Sequence, residues 1–406
     1  MIFVLIILLV LGIDVYAFQA IETATKTNSA LATFAHAAYW SVSAGILLFF
    51  VYGMLNMRGS KNIPAYFKAT FNIFITLLVT KATLLIVLFG EDIYRGVVAV
   101  AHLFNGTTGH VLPERQAVVS QAGLLIALVP FASFVYGTTK GKYRYKVHKQ
   151  VLYFDDLPEA FDGFTIAQIS DVHSGSFDNA EAVAKGIELI NKQDADVFVF
   201  TGDLVNNHAE EIEPWIDTFK KIKAKHGQFS ILGNHDYGDY IQWPSAEAKA
   251  ENLHKLKAHH ASMGFRLLLN ENITLEKGGA TIKLVGVENW GKGFVMQGDL
   301  NKALNGVDDK DFKVLLSHDP SHWDAQVKDH PTHIHLTLSG HTHGMQMGIE
   351  TPLFKWSPVQ YRYKNWAGLA TENNRHLYVN RGFGFLGFSG RVGIWPEITV
   401  IELRKK

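Results

Sequence analysis

The sequence predicts two fold classes in one chain: a helical membrane region, then a unit of alternating strands and helices. Three observations lead there. Long apolar runs crowd the first 137 residues; the remainder breaks into short apolar stretches separated by Gly, Asn, Asp and His; and several of those stretches stop at an acid, an amide or an imidazole. A chain of 406 residues also exceeds one ordinary small domain, and the composition shift sets the boundary near 140, giving regions 1–140 and 141–406. Lys+Arg and Asp+Glu are both 38, so no basic excess points to a nucleic-acid partner. The absence of cysteine excludes disulfides, thiolate zinc sites and a cysteine nucleophile.

A bilayer-crossing helix needs about 20 apolar residues, and four segments qualify: 1–18, 36–57, 70–90 and 116–137. The region 97–112 is apolar but short and broken by Gly and His, and it reads as a loop or re-entrant piece. Lys and Arg stay on the cytoplasmic side. Arg58, Lys61 and Lys68 follow the second span, and Lys140, Lys142, Arg144, Lys146 and Lys149 follow the fourth. Four spans with the N-terminus inside place both basic segments, and the C-terminal unit with them, in the cytoplasm. Ala17 and Ala20 raise the alternative of a cleaved signal peptide, but the basic segment that precedes such a peptide's apolar core is missing. Asp14 and Lys81 sit inside spans at similar depth, where charge is expensive and usually paired. An ion pair of structural role is expected; otherwise Asp14 reaches the outer interface.

From about residue 150 the period changes. FTIAQIS (164–170) is a strand that runs into Asp171, and AEAVAKGIELINKQ (180–193) has helical spacing. ADVFVFTGD (195–203) ends in Asp203, a helix is expected over 210–225, and GQFSILGNHD (227–236) runs into Asn234 and His235. KVLLSHDP (313–320) carries His318, and IHLTLSGHTHG (334–344) carries His341 and His343. Open α/β sheets bind ligands at the carboxyl ends of their strands. Five such ends would gather carboxylates, an amide and imidazoles, a donor set suited to Mn²⁺, Fe or Zn²⁺. His341 and His343 cannot comfortably grip one ion from a straight strand but can reach two neighbouring ions, with Gly340 and Gly344 letting the backbone turn. The histidine pair argues for two metals.

Taken in order, DVH (171–173), GD (202–203), GNHD (233–236), His318 and GHTH (340–343) resemble the signature of the calcineurin-like metallophosphoesterases over roughly residues 145–406. YVNRGFG (378–384) and PEITVIEL (396–403) are similar to the bacterial membrane-associated, YkuE-like branch. That branch usually has Gly-Gly-Gln after the last histidine, whereas Met345 stands before Gln346 here. The resemblance implies a two-sheet α/β/β/α sandwich and two divalent ions. Asp171, His173 and His343 would hold one ion, Asn234, His318 and His341 the other, with Asp203 bridging. His235 would face the substrate phosphate as a catalytic proton donor. Two such cations orient a phosphate and stabilise both attacking and leaving oxygens. No further cofactor is implied.

Other polar residues lie outside these motifs. His322 is expected to face solvent at a helix start, His333 and His335 to lie on an edge strand, and His254, His259 and His260 on the polar face of a helix. Asn206 and Asn207 read as substrate contacts or as a turn. Between the histidine turn and the last strands, Trp356, Tyr361, Tyr363 and Trp366 alternate with Lys355, Arg362 and Lys364. This mix predicts an interfacial strip beside the metals, where Trp356 and Trp366 admit substrate. The expected protein is a multi-pass inner-membrane phosphoesterase with a cytoplasmic catalytic domain. Membrane lipids and a phosphorylated, lipid-linked substrate would be its partners. The alternatives are an anchored phosphodiesterase for soluble nucleotides, or a membrane sensor or scaffold without turnover.

Overall fold

The computed structural model describes residues 2–56, 64–105 and 112–406. The chain divides into two compact units, Met1–Thr138 and Thr139–Lys406.

In the first unit four helices are long and apolar enough to cross a membrane: α1 (Ile2–Thr25), α2 (Ser29–Asn56), α3 (Ala65–Phe104) and α4 (Ala117–Thr139). Leu9, Leu48, Ile86 and Val118 are exposed on them, as lipid-facing helices require. Small residues let the backbones approach, with Ala17 and Ala20 packed against Leu84, Leu88 and Ala127. Asp14 and Lys81 do form an ion pair, joining α1 to α3, and Lys81 Nζ also donates to Ser43 Oγ of α2 at 2.8 Å. The expectation of a loop over 97–112 is corrected for residues 97–104, which continue α3. Gly90, Gly96 and His102 do not break this proline-free helix, and Asp92 pairs with Arg95 one turn on (2.6 Å) and with Arg115 (2.7 Å). Arg58 and Lys61, and residues 106–111 of that segment, lie outside the described residues.

The second unit is a sandwich of two six-stranded mixed sheets. The first sheet contains β1 (Lys146–Phe154), β2 (Phe164–Ile169), β3 (Val197–Phe200), β4 (Gln228–Ser230), β5 (Arg266–Leu267) and β14 (Glu397–Lys405), in the order β1-β14-β2-β3-β4-β5. The second contains β6 (Glu271–Lys277), β7 (Ala280–Gly286), β8 (Lys313–Leu316), β9 (Leu336–Ser339), β12 (Gly368–Glu372) and β13 (Arg375–Val379), in the order β12-β13-β9-β8-β7-β6. A separate hairpin joins β10 (Ile349–Glu350) to β11 (Lys355–Trp356). Strand β3 shows why the inner strands read as unbroken apolar runs. Val197 and Val199 enter the core between the sheets, while Phe198 and Phe200 enter the layer under α5 (Ala180–Asn191) and α7 (Ala246–Ser262). Val285, Leu315, Leu377 and Trp323 form the matching layer outside the second sheet. The architecture is the α/β/β/α sandwich.

Several local expectations change. The helix over 210–225 is a 3₁₀ segment, Ala209–Trp215, followed by the single turn α6 (Ile216–Phe219), because Pro214 has no N–H to continue a ladder. His335 precedes an inner strand, since β9 lies between β8 and β13. His335 and His322 are buried, and so is His260, with Nδ1 of its ring 2.9 Å from Ser230 Oγ.

Candidate metal centre

The carboxyl ends of β2, β3, β4, β8 and β9 meet at one edge of the sandwich, and every sequence-predicted ligand lies just past one of them. Asp171, His173, Asp203, Asn234 and His318 are buried. At the histidine turn the backbone is not a straight strand. Strand β9 stops at Ser339, and His341 and His343 take left-handed φ angles of 72° and 52°. Asp171 (52°), His173 (46°) and Asp203 (62°) share that conformation. Left-handed backbone is costly for residues with a side chain and clusters at functional sites. Here it aims the two histidine rings into different groups. Gly340 is needed for another reason: a Cβ there would meet Asp171 Oδ2 at 2.3 Å.

The ligand atoms of Asp171, His173 and His343 lie within 4.8 Å of one another, as do those of Asp203, His318 and His341. In the first group His343 Nε2 is 3.2 Å from Asp171 Oδ1 and 3.0 Å from His173 Nε2. In the second, His341 Nδ1 is 2.8 Å from Asn234 Oδ1, and His318 Nε2 is 3.1 Å from Asp203 Oδ2. Asp203 Oδ2 is also 3.6 Å from His173 Nε2, so one oxygen faces imidazoles of both groups. The other oxygen accepts from the His235 amide at 2.8 Å.

Neighbouring residues set the orientations. His318 Nδ1 donates to Thr201 O (2.7 Å), which leaves the Nε2 lone pair for the site. Asn234 Nδ2 donates to Tyr240 OH (2.6 Å), so its amide oxygen turns inward. His235 stands at the mouth, half buried, with its Nδ1 donating to Asn206 O at 2.8 Å and Tyr240 packed at 4.3 Å against its ring. Burial drives His173 down to about 3 and His341 down to about 4, so both stay neutral lone-pair donors. Burial alone would raise Asp203, but the imidazoles of His318 and His235 hold it well below the usual carboxylate range. Against its own burial cost, His318 is pushed up to about 10 by the Asp203 and Asp171 carboxylates. His318 Nε2 also lacks a well-formed hydrogen bond, although it is buried. Nitrogen and oxygen donors facing one another, with an orphaned nitrogen among them, fit divalent ions.

Residues 1–142 match the family described as probable calcineurin-like phosphoesterase, transmembrane domain, and residues 164–345 match calcineurin-like phosphoesterase. The uncharacterized metallophosphoesterase YkuE of Bacillus subtilis is 32% identical over 259 residues, which is 61% of this chain and 82% of YkuE. The chain belongs to the calcineurin-like metallophosphoesterases. Another Bacillus subtilis metallophosphoesterase, YkoQ, is 25% identical over 69% of this chain and 98% of its own length. A zebrafish transmembrane protein with a metallophosphoesterase domain is 28% identical over 70% of this chain, and the match spans 62% of that protein. This member of the family is membrane-linked: the four apolar helices and the transmembrane match coincide.

Four supporting groups escaped the motif reading. Asp236, the last residue of GNHD, accepts from the amides of Asp203 (3.0 Å), Leu204 (2.8 Å) and Gly233 (2.8 Å), clamping two metal-site turns together. Asp319 and Tyr363 approach His341 Nε2 at 3.4 and 2.8 Å. Arg391, wholly buried, donates to Gly384 O and sits 3.3 Å from His343 Nδ1. Asp236 and Asp319 were detectable as acids beside motif histidines. Tyr363 and Arg391 carry no local signal. Asn206 and Asn207 belong to a turn whose amides donate to Glu211 at 2.6 and 3.2 Å.

The interfacial strip changes composition. Trp366 is buried with Ala367 and Ile394, Tyr363 points at His341, and the Lys355 amine turns inward to Ala367 O. Tyr361, Arg362 and Lys364 stay exposed, and Trp356 is half buried.

Proposed function

We propose that this protein hydrolyses phosphoric esters with two divalent ions, cutting a phosphodiester, pyrophosphate or phosphomonoester bond in a lipid-linked substrate. The observation that carries the reading is Asp203, whose single oxygen faces both imidazole groups. Asp171, His173 and His343 would hold one ion, and Asn234, His318 and His341 the other, with Asp203 between them. When bound, such ions polarise the phosphoryl oxygen and acidify water near neutral pH. The remaining work falls to the chain. His235, fixed through Nδ1 by Asn206 O, keeps Nε2 free to carry a proton to the leaving oxygen. Asp236 holds the turns that position Asp203 and Asn234, and Tyr240 sets the Asn234 amide.

The lipid-linked class is supported by the membrane helices carried in the same chain as the site. The basic residues after α4 favour an inner-membrane protein with its catalytic unit in the cytoplasm. Hydrolysis by the purified chain with Mn²⁺ tests the activity, comparing bis-nitrophenyl phosphate, nucleotides and lipid-linked pyrophosphates. Preference for the lipid-linked compounds is expected. Preference for nucleotides without lipid dependence would replace the substrate class, and no hydrolysis of any compound would favour a sensor or scaffold. A reporter active only outside the cytoplasm, fused after Lys406, should stay silent.

A further inference from the structure

The β10–β11 hairpin stands apart from both sheets, with Ile349 opposite Trp356 and Glu350 opposite Lys355. Facing residues share a side of a two-stranded ribbon. Glu350 and Lys355 take the inner side, Glu350 pairing with Arg381 at 2.5 Å and Lys355 donating to Ala367 O at 2.5 Å. Ile349 and Trp356 therefore face outward. The connecting turn is closed by Thr351 N donating to Phe354 O (2.8 Å) and Phe354 N donating to Thr351 Oγ1 (3.0 Å). At its tip Leu353 is 99% exposed and Phe354 56%. Tyr361, 80% exposed, meets Trp356 Nε1 at 3.5 Å and extends the outward strip. A fixed turn that shows bare leucine and phenylalanine to water is unfavourable unless something apolar receives it.

The surrounding charge says what that is. From Thr351 to Thr371 the chain carries Lys355, Arg362 and Lys364 and no acid. Arg362 and Lys364 are exposed. Aliphatic tip, aromatic collar and cationic rim follow the depth order of a lipid surface: acyl boundary, headgroups, phosphates. We propose that this hairpin docks the catalytic unit on an anionic phospholipid bilayer, with Leu353 and Phe354 entering the acyl boundary. Helices of the same chain keep a bilayer at high effective concentration, so a modest finger suffices. The hairpin base is bonded to the metal turn, Ser357 Oγ donating to Gly344 O at 2.7 Å and Thr342 Oγ1 to Trp366 O at 2.6 Å. Docking would thus hold the mouth of the metal site at headgroup depth, where a lipid's phosphate is presented. This deepens the lipid-linked reading, but docking itself requires no turnover.

Because the chain has no cysteine, Leu353→Cys carries a unique spin label on the full-length protein. In nanodiscs of phosphatidylethanolamine and phosphatidylglycerol, that label should collide more with oxygen than with a water-soluble nickel chelate. A label at Glu251→Cys, exposed on α7, should show the reverse. Adding Arg362→Glu and Lys364→Glu should shift the Leu353 label toward the aqueous pattern. A Leu353 label as open to nickel as the control overturns the proposal. So does a label shielded from both reagents, which would mean a protein contact, such as a second copy of the chain. Hydrolysis is not read in this experiment, so its failure leaves the assignment of the metal site standing.

Discussion

Histidines at the crest of the two sheets and histidines on their flanks are largely hidden from water, yet the structure holds them in opposite ways. On the flank, His322 meets Ser317 Oγ through Nδ1 (2.8 Å) and Gln326 Oε1 through Nε2 (3.1 Å). His335 accepts from the Lys313 amide (2.9 Å) and meets Asp156 Oδ2 at 2.6 Å. Both flank rings are fully paired. At the crest, His173, His318, His341 and His343 aim nitrogens at one another or at carboxylates, and three of them sit on left-handed backbone. Burial does not separate the groups: it drives His322 and His335 down to about 4, as it does His341. Partner geometry does. A buried imidazole satisfied by ordinary acceptors and donors is structural, while one facing other ligand-type atoms is a candidate cation ligand.

Removing the atom shared by both crest groups should have the largest effect. Asp203→Ala is expected to bring hydrolysis to background and strip bound metal, with circular dichroism near normal. Near-normal turnover with two ions retained would remove the distinction between crest and flank. His235→Ala should act differently, since His235 stands beside the crest ligands rather than among them. Turnover should fall about 10²–10⁴-fold while metal analysis stays unchanged. Metal loss in that variant would move His235 into the ligand set. On the flank, His335→Leu leaves the buried Lys313 amide without its acceptor, at a cost of about 1–3 kcal/mol in stability. Thermal unfolding should register that cost, whereas metal content and turnover per folded molecule should hold.

The crest was legible in sequence because its strands stop abruptly: an apolar run ends and a ligand type follows within a few residues, as at Phe200 and Asp203. The layered fold was legible for the same reason, since β3 buries both faces and reads as VFVF. What stayed hidden depends on distant partners. Nothing near residue 391 announces that its guanidinium will lie against His343, and nothing near Trp366 announces that Thr342 will hold its carbonyl and turn it inward. The buried flank histidines misled for a related reason: polar residues are read as exposed unless a partner is known, and Asp156 lies 179 residues from His335. The continuation of α3 past residue 97 was hidden because the segment 97–112 is short and interrupted by glycine and histidine, yet the helix runs through His102 to Phe104.

The smallest effect is expected where the crest departs from its family pattern. Met345 follows Gly344, where the YkuE-like branch usually carries glycine, and it holds φ at 52° with half its surface exposed. A left-handed residue with a Cβ costs about 1–2 kcal/mol, and a glycine there would avoid that strain. Glycine also frees the unfolded chain, which takes back roughly 0.5–1 kcal/mol. The two nearly offset, so Met345→Gly should move stability by no more than about 1 kcal/mol, a few degrees in the unfolding midpoint. Metal content should not change, because the neighbouring Gln346 is anchored independently by Phe388 O (2.6 Å) and the Leu386 amide (2.5 Å). Turnover of bis-nitrophenyl phosphate should be unchanged as well. A loss approaching that of His235→Ala would mean that the exposed thioether reaches the substrate, and the departure at Met345 would then belong to the chemistry of the crest rather than to its backbone.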